Sequence, residues 1–114
     1  LDFELTTRAT NLSGGQKQRL LISRAIVLRP EILILDDSDS ALDYRTSANL
    51  RREINQKLSD LTSIIITQRV SSIKNADLIL VIENGKITHM GRHDELLENC
   101  EYYKKVYEIQ MGAL

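Results

Sequence analysis

The chain has 114 residues, of which 42% are hydrophobic and 27% are charged. This composition is ordinary for one soluble globular domain with one core, and it excludes a disordered or fibrous segment. Basic and acidic residues number 15 and 16, and the resulting net charge of -1 disfavours binding to nucleic acid or to an acidic membrane surface.

Signals for a membrane or an oxidising compartment are weak. The longest apolar stretch, residues 78–82, is far shorter than the ~20 residues of a membrane-spanning helix, so a membrane role requires partners. The N-terminus lacks the basic and then apolar pattern of an export signal. The single cysteine, Cys100, can form no internal disulfide, which fits a reducing compartment.

The first predicted elements are a helix and a strand. The helix begins after Ser13 and stops before Pro30, which cannot continue it. The unbroken apolar run at residues 32–35 predicts a strand that is covered on both faces, as in a parallel α/β sheet. The side chains predicted to form the buried stripe of the helix are Leu21, Ile22, Ala25 and Ile26.

A second helix and a second strand follow. Asp43 is a favourable N-cap for the helix, and Glu53 and Lys57 have the spacing of an exposed i, i+4 pair. Residues 64–66 predict the next buried strand. The side chains predicted to form the buried stripe of this helix are Leu50, Ile54, Leu58 and Leu61.

The rest of the chain predicts a short helix, a hairpin and two terminal helices. Asn84 and Gly85 between two apolar runs are the strongest short-range hairpin signal. The predicted ranges are 71–74 for the short helix, 78–82 and 86–90 for the hairpin strands, and 94–99 and 102–110 for the terminal helices.

This order of elements predicts an α/β fold with a mainly parallel sheet, a C-terminal hairpin and terminal helices. In open parallel sheets, ligands bind at the carboxyl ends of the strands. Asp36, Asp37 and Gln68 follow the ends of the two predicted buried strands, so we expect them at one edge of the sheet. No internal repeat or linker indicates a domain boundary within residues 1–114.

Residues 12–19 read Leu-Ser-Gly-Gly-Gln-Lys-Gln-Arg and admit two interpretations. Ser13 and Gln16 have the spacing of a capping box, in which each side chain satisfies a free backbone N–H. That motif does not explain Gly14 and Gly15, because each glycine costs a helix about 1 kcal/mol relative to alanine. Glycines are favoured where a ligand approaches the backbone, and at a helix N-terminus that ligand is usually an anion such as phosphate.

The same stretch resembles the signature motif of ATP-binding cassette (ABC) ATPases, and the sequence after it keeps that family's order of motifs. The resemblance covers nearly the whole chain. In the family, the signature closes over the γ-phosphate of ATP that the partner subunit holds. The resemblance therefore implies that Ser13, Gly14, Gly15 and Gln16 form half of a shared ATP site.

Two further stretches carry the resemblance. Asp36 and Asp37 resemble the Walker B motif, whose first carboxylate helps hold Mg²⁺ on the nucleotide phosphates; the alternative is a solvated Asp-Asp turn. Residues 40–43, Ser-Ala-Leu-Asp, resemble the D-loop, which implies that Ser40 and Asp43 line the dimer interface beside the signature.

The C-terminal region indicates the branch of the family. Residues 91–97, Gly-Arg-His-Asp-Glu-Leu-Leu, resemble the element that closes the nucleotide-binding domain of exporter-type transporters. Together with residues 38–43, this stretch disfavours the branches that act on chromosome structure and in translation.

Two positions depart from the family pattern. The residue after Asp36 is usually a glutamate that positions or deprotonates the attacking water, and Asp37 is one methylene shorter; a shift of about 1 Å can cost on the order of 100-fold in rate. The family's switch histidine is replaced by Gln68, which cannot take a proton. Neither His89 nor His93 lies near enough in sequence to substitute. An intact signature with these two changes resembles the degenerate-site half of a heterodimeric exporter.

The chain contains no G-x-x-x-x-G-K-[ST] P-loop, whose backbone and lysine hold the β- and γ-phosphates. The resemblance implies that residues 1–114 are the C-terminal part of a P-loop NTPase-type domain, and we expect the chain alone neither to hydrolyse ATP nor to bind it tightly. Two alternatives stay open: a non-enzymatic interaction module derived from an ABC domain, and an ABC ATPase without a transporter partner.

The resemblance also implies cofactors, partners and a location. The cofactors are ATP and Mg²⁺, and the partners are a second ABC subunit in a heterodimer and membrane-spanning domains. The transporter lies in the cell membrane with this domain on the cytoplasmic face, and the chain itself is expected to be soluble. No nucleic-acid partner is expected. A sheet edge without neighbours predicts self-association of the isolated chain.

Overall fold

A computed structural model describes residues 12–38, 40–57 and 60–112. The chain divides into two compact units, Leu1–Ile66 and Thr67–Leu114. Each unit has its own cluster of buried side chains, so the single core that the composition predicts is replaced by two. No helix within the described ranges is long and apolar enough to span a bilayer.

The first unit is a βαβ arrangement preceded by a helix. Its elements are α1 (Gly14–Val27), β1 (Ile32–Asp36), α2 (Tyr44–Lys57) and β2 (Thr62–Ile66). The two strands are parallel and in register, with Ile34 opposite Ile64 and Asp36 opposite Ile66. The carboxyl ends of both strands therefore meet at one edge, which confirms the predicted parallel pairing. The buried cluster of this unit consists of Ile22, Leu33, Leu35 and Ile54.

Both helices of this unit begin where the sequence predicts. Ser13 is the N-cap of α1 and forms the complete capping box with Gln16. Asp43 precedes α2, and its side chain accepts a hydrogen bond from the backbone N–H of Thr46 at 2.9 Å. Helix α1 ends at Val27, before the proline that the sequence identified as its stop.

Some predictions of burial were wrong. One face of the β1–β2 sheet is exposed: Ile32 and Ile34 are 59% and 62% accessible, whereas Leu33 and Leu35 are buried. The apolar run was expected to be covered on both faces, but only one face packs against neighbouring elements within the described residues. Leu21 was also placed on the buried stripe of α1, and it is 56% exposed.

The predicted buried stripe of α2 is confirmed for those of its residues that the structure describes. Ile54 is buried, and Leu50 and Leu61 pack against the same cluster. Leu58 and the side chain of Lys57 lie outside the described residues, so the predicted pair of Glu53 with Lys57 stays a prediction.

The second unit is a hairpin packed with two helices. Its elements are a 3-10 turn (Val70–Ser72), β3 (Ile79–Glu83), β4 (Lys86–Gly91), α3 (His93–Asn99) and α4 (Glu101–Gln110). Strands β3 and β4 are antiparallel and joined by Asn84 and Gly85, whose φ angles of 49° and 75° are those of a tight hairpin turn. The hairpin prediction is therefore confirmed. The buried cluster consists of Val70, Ile79, Val81, Leu96, Cys100 and Tyr103.

Candidate functional site

The N-terminus of α1 is built by reciprocal hydrogen bonds. The backbone N–H of Ser13 donates to Oε1 of Gln16 at 2.9 Å, and the N–H of Gln16 donates to Oγ of Ser13 at 3.3 Å. The first N–H groups of a helix have no intrahelical partner, so those of Gly14 and Gly15 point out of the end of α1. The capping box and an anion site are thus compatible, because they use different N–H groups.

The first turn of α1 lies against the loop between β1 and α2. A Cβ atom on Gly15 would lie 3.3 Å from the carbonyl oxygen of Ala41, and one on Gly14 would lie 3.8 Å from Cβ of Ala41. Leu42, the next residue of the loop, is buried. The structure therefore brings the predicted signature and the predicted D-loop together within one unit. Close packing against the carbonyl oxygen of Ala41 explains why Gly15 has no side chain.

The loop itself is held by local hydrogen bonds. Asp37 has a φ of 44°, in the left-handed region that aspartate tolerates better than most residues. Its carbonyl oxygen accepts hydrogen bonds from the backbone N–H of Ser40 at 3.2 Å and from Oγ of Ser40 at 3.0 Å. Ser40 therefore turns the chain back after β1.

Asp43 closes this loop and starts α2. Its carboxylate accepts hydrogen bonds from Oγ1 of Thr46 at 2.7 Å and from the backbone N–H of Thr46 at 2.9 Å. These two bonds, the side-chain bond first, lower the pKa of Asp43 from its ordinary value of 3.8. Asp43 is therefore a charged N-cap, and nothing further is needed to explain its position.

The carboxyl end of β1 presents two exposed carboxylates, Asp36 and Asp37. The backbone N–H of Asp37 donates to the carbonyl oxygen of Ile66 at 2.8 Å, which extends the β1–β2 ladder by one bond. Among the described residues, no group of three or more His, Cys, Asp or Glu side chains could hold a metal alone. Mg²⁺ needs only one or two carboxylates when phosphate oxygens and water complete its shell, so an exposed carboxylate at this strand end fits it.

Gln68 lies two residues beyond β2, in the second unit. Its backbone is held by Gln110 at the end of α4: Nε2 of Gln110 donates to the carbonyl oxygen of Gln68 at 2.7 Å, and Oε1 of Gln110 accepts from the N–H of Val70 at 2.8 Å. The sequence did not indicate Gln110, because no local pattern links residues 42 positions apart.

A cavity of about 440 Å³ in the second unit contains none of the predicted site residues. At its wall, Nδ1 of His93 lies 2.9 Å from the hydroxyl oxygen of Tyr103, and the rings of His93 and Tyr107 form a T-shaped pair with their centroids 5.1 Å apart. Burial raises the pKa of Tyr103 to about 12, and the neighbouring Tyr107 contributes. The residues lining the cavity are Lys74, Asn75, Ala76, Asp77, Arg92, His93, Asp94 and Tyr107.

Comparisons with known proteins agree with the motifs. The sequence profile of the ABC transporter family matches residues 1–40. The chain is 48% identical over 109 residues to YknU of Bacillus subtilis, named an ABC transporter ATP-binding protein, with 96% of this chain and 19% of that protein covered. It is 50% identical over 110 residues to YheI of the same organism, named a probable multidrug resistance ABC transporter ATP-binding/permease protein, with 96% and 19% covered.

A solved structure described as a bacterial Atm1-family ABC exporter with ATP bound is also similar. It shares 37% identity and a TM-score of 0.89, covering 96% of this chain and 19% of that one. The fold is thus an α/β segment compatible with the C-terminal part of a P-loop NTPase-type domain. Together with the relatives above, it shows that the chain belongs to the ABC transporter ATP-binding domains. The chain spans about a fifth of the length of these relatives.

Proposed function

We propose that the chain is the C-terminal part of the ATP-hydrolysing domain of an exporter-type ABC transporter, in which ATP binding and hydrolysis drive transport through membrane-spanning domains. The observation that carries this proposal is the packing of the first turn of α1 against Ala41, since it joins the two motifs that the family uses at its dimer interface. Similarity to an ATP-bound exporter along nearly the whole chain supports the same branch.

Each predicted site residue has a role in this proposal. Asp36 contributes an oxygen ligand to Mg²⁺, which neutralises charge on the phosphates when it is bound. Asp37 orients the attacking water, and Gln68 donates a hydrogen bond toward the γ-phosphate of the same nucleotide. These roles belong to the assembled protein, and we expect the chain without P-loop residues neither to hydrolyse ATP nor to bind it tightly.

The α1 N-terminus acts on a different nucleotide, the one held by a partner subunit. The free N–H groups of Gly14 and Gly15 and the positive end of the helix dipole attract the γ-phosphate of that ATP. The hydroxyl of Ser13 can still donate a hydrogen bond, because it only accepts one in the capping box. Ser40 and Asp43 hold the adjoining loop in the shape that faces the partner.

We further propose that this subunit contributes the weaker of two ATP sites in a heterodimer. The shorter carboxylate of Asp37 and the amide of Gln68, which cannot take a proton, support weak hydrolysis at the site that contains them. The intact signature supports efficient hydrolysis at the partner's site. The assembly would lie at the cytoplasmic face of the membrane through its membrane-spanning domains.

The test uses the full-length protein assembled with its partner, with radiolabelled ATP trapped separately at each site. Gly15→Asp puts a negative charge beside the γ-phosphate and should abolish hydrolysis at the partner's site while nucleotide stays bound at the Asp37 site. Unchanged turnover in this variant would mean that the proposed role of residues 13–16 at the partner's site is wrong, and that the capping box alone explains Ser13 and Gln16.

A further inference from the structure

We propose that Gln110 is a positioning residue for Gln68, an inference that rests on the proposed function and names a residue that acts on the same site. The side-chain amide of Gln110 bridges the backbone on both sides of Arg69. It donates to the carbonyl oxygen of Gln68 at 2.7 Å and accepts from the N–H of Val70 at 2.8 Å. Both bonds join residues at least 40 positions apart, within the second unit.

The bridge needs the chemistry of an amide. One group must donate and accept at once, and among side chains of this length only glutamine does so without changing its protonation state. A glutamate would keep the bond to the N–H of Val70 and would place a carboxylate oxygen against the carbonyl oxygen of Gln68. Gln110 is partly buried at the end of α4, and its hydrogen bond with the N–H of Val70 is partly buried as well.

The bridge holds a short segment whose functional side chain is exposed. The N–H of Arg69 donates to Oγ1 of Thr67 at 3.0 Å, so the backbone is held at positions 67 to 70 by this local bond and by Gln110. The side chain of Gln68 lies on the surface. Fixing the two peptides around this residue limits the directions in which its amide can point, which is what a hydrogen bond to a phosphate oxygen requires.

The proposed role of Gln110 predicts that loss of the bridge affects the binding of ATP and of ADP differently. Gln68 is proposed to meet the γ-phosphate, which ATP has and ADP lacks. Loss of the bridge should therefore weaken ATP binding at the site that contains Gln68 by about three- to tenfold, the size of one lost hydrogen bond, and should leave ADP binding unchanged. If the bridge only stabilised the fold, its loss would weaken the binding of ATP and of ADP equally.

The experiment compares variants in the full-length protein assembled with its partner. A photoreactive radiolabelled ATP tags the subunit that binds it, and competition with unlabelled ATP and ADP gives an apparent affinity for each. Gln110→Met removes both hydrogen bonds at nearly constant length, and Gln110→Glu removes only the donor to Gln68. Ile109→Ala is the matched control, because Ile109 is exposed in the same helical turn and forms neither bond.

We expect the ratio of ATP to ADP affinity to fall in both Gln110 variants and to stay at the wild-type value in Ile109→Ala. An unchanged ratio in Gln110→Met, with normal ATP binding by the wild type, overturns the positioning role alone. A wild-type assembly that binds neither nucleotide overturns the proposed function and this role with it.

Discussion

Gly15 and Ala41 approach each other so closely that a methyl group on Gly15 would lie 3.3 Å from the carbonyl oxygen of Ala41. A methyl group on Gly14 would meet Cβ of Ala41 at 3.8 Å, an ordinary van der Waals distance. The two glycines of one motif are therefore constrained differently. Packing explains the absence of a side chain at Gly15 but not at Gly14, where we propose that a bound phosphate supplies the reason.

Because only Gly15 is tightly packed, a substitution at Gly14 tests the effect of added charge without the effect of steric crowding. Gly14→Asp adds a carboxylate at the N-terminus of α1, where negative charge stabilises the helix itself, so thermal stability should be unchanged or higher. The same carboxylate repels a phosphate at that end, and hydrolysis at the partner's site should be lost. Both quantities are measured on the assembled full-length protein, by thermal denaturation and by ATP turnover.

Gly15→Ala is the matched comparison, because it crowds the carbonyl oxygen of Ala41 without adding charge. We expect it to reduce turnover less than Gly14→Asp. If Gly15→Ala abolished turnover and Gly14→Asp did not, the two glycines would be required for packing against the Ala41 loop and not for binding an anion.

The acid stability of the chain depends on Asp43. Hydrogen bonds from Thr46 lower its pKa below the ordinary value of 3.8. A carboxylate whose pKa is lower in the folded state stabilises the fold above the unfolded pKa, and this contribution is lost as the pH falls through the folded pKa. Asp43→Asn keeps an N-cap that does not titrate. The variant should be less stable than the wild type near neutral pH, and the difference should shrink as the pH falls below 3.8 through the lowered pKa of Asp43, as thermal denaturation would measure. A difference that is constant with pH would contradict this account.

Local signals in the sequence predicted much of the fold. The capping box at Ser13, the N-cap at Asp43 and the turn at Asn84 and Gly85 all depend on neighbouring residues, and all three occur as predicted. The order of motifs was also sufficient to identify the family, because it depends on residue types at fixed spacing.

Contacts between distant segments could not be predicted. An apolar run shows that a strand is buried but not on which face, and Ile32 and Ile34 are exposed where burial was expected. The approach of Gly15 to Ala41 and the bridge from Gln110 join segments that no periodicity links. The roles of Asp36, Asp37 and Gln68 rest on the family resemblance and stay proposals.

Tyr103 should control stability at alkaline pH. Its pKa is raised from 10.0 to about 12 by burial, so its neutral form stabilises the fold below pH 10 and this contribution is lost as the pH rises toward 12. Tyr103→Phe removes the hydrogen bond to His93 and should cost about 1 kcal/mol near neutral pH. It should also remove part of the alkaline loss. Tyr102→Phe is the control, since Tyr102 is 55% exposed on the same helix. Equal pH profiles of chemical denaturation for the two variants would refute the role of Tyr103.

The exposed face of the β1–β2 sheet should make the isolated chain associate with a second copy of itself. Ile32, Ile34, Ile64 and Ile66 share this face, and each is at least 47% exposed. Replacing Ile34 and Ile64 with threonine keeps the β-branched shape and should lower the apparent mass in light scattering. Replacing Val27 and Leu28 at the end of α1 with threonine removes exposed apolar area elsewhere. A monomeric wild type at high concentration, or equal effects of both pairs, would contradict this prediction.

The ATP site that we propose to be weak should respond when the family's usual residues are restored at positions 37 and 68. Asp37 has a φ of 44°, which aspartate and asparagine adopt more readily than glutamate, so Asp37→Glu carries a small cost in stability. The added methylene moves the carboxylate about one bond length farther from the backbone, and Gln68→His supplies a side chain that can take a proton. In the assembled full-length protein, the double variant should therefore hydrolyse more ATP at its own site than the wild type does.

The matched control is Asp37→Asn with Gln68→His. Asparagine keeps the length of Asp37 and its tolerance of a positive φ but cannot act as a base, so no gain in hydrolysis is expected. Trapping of radiolabelled ATP, resolved between the two sites, distinguishes the variants. If the Asp37→Glu, Gln68→His protein trapped no more product at its own site than this control while the partner's site still turned over, the weakness of the site would have to arise from residues other than Asp37 and Gln68.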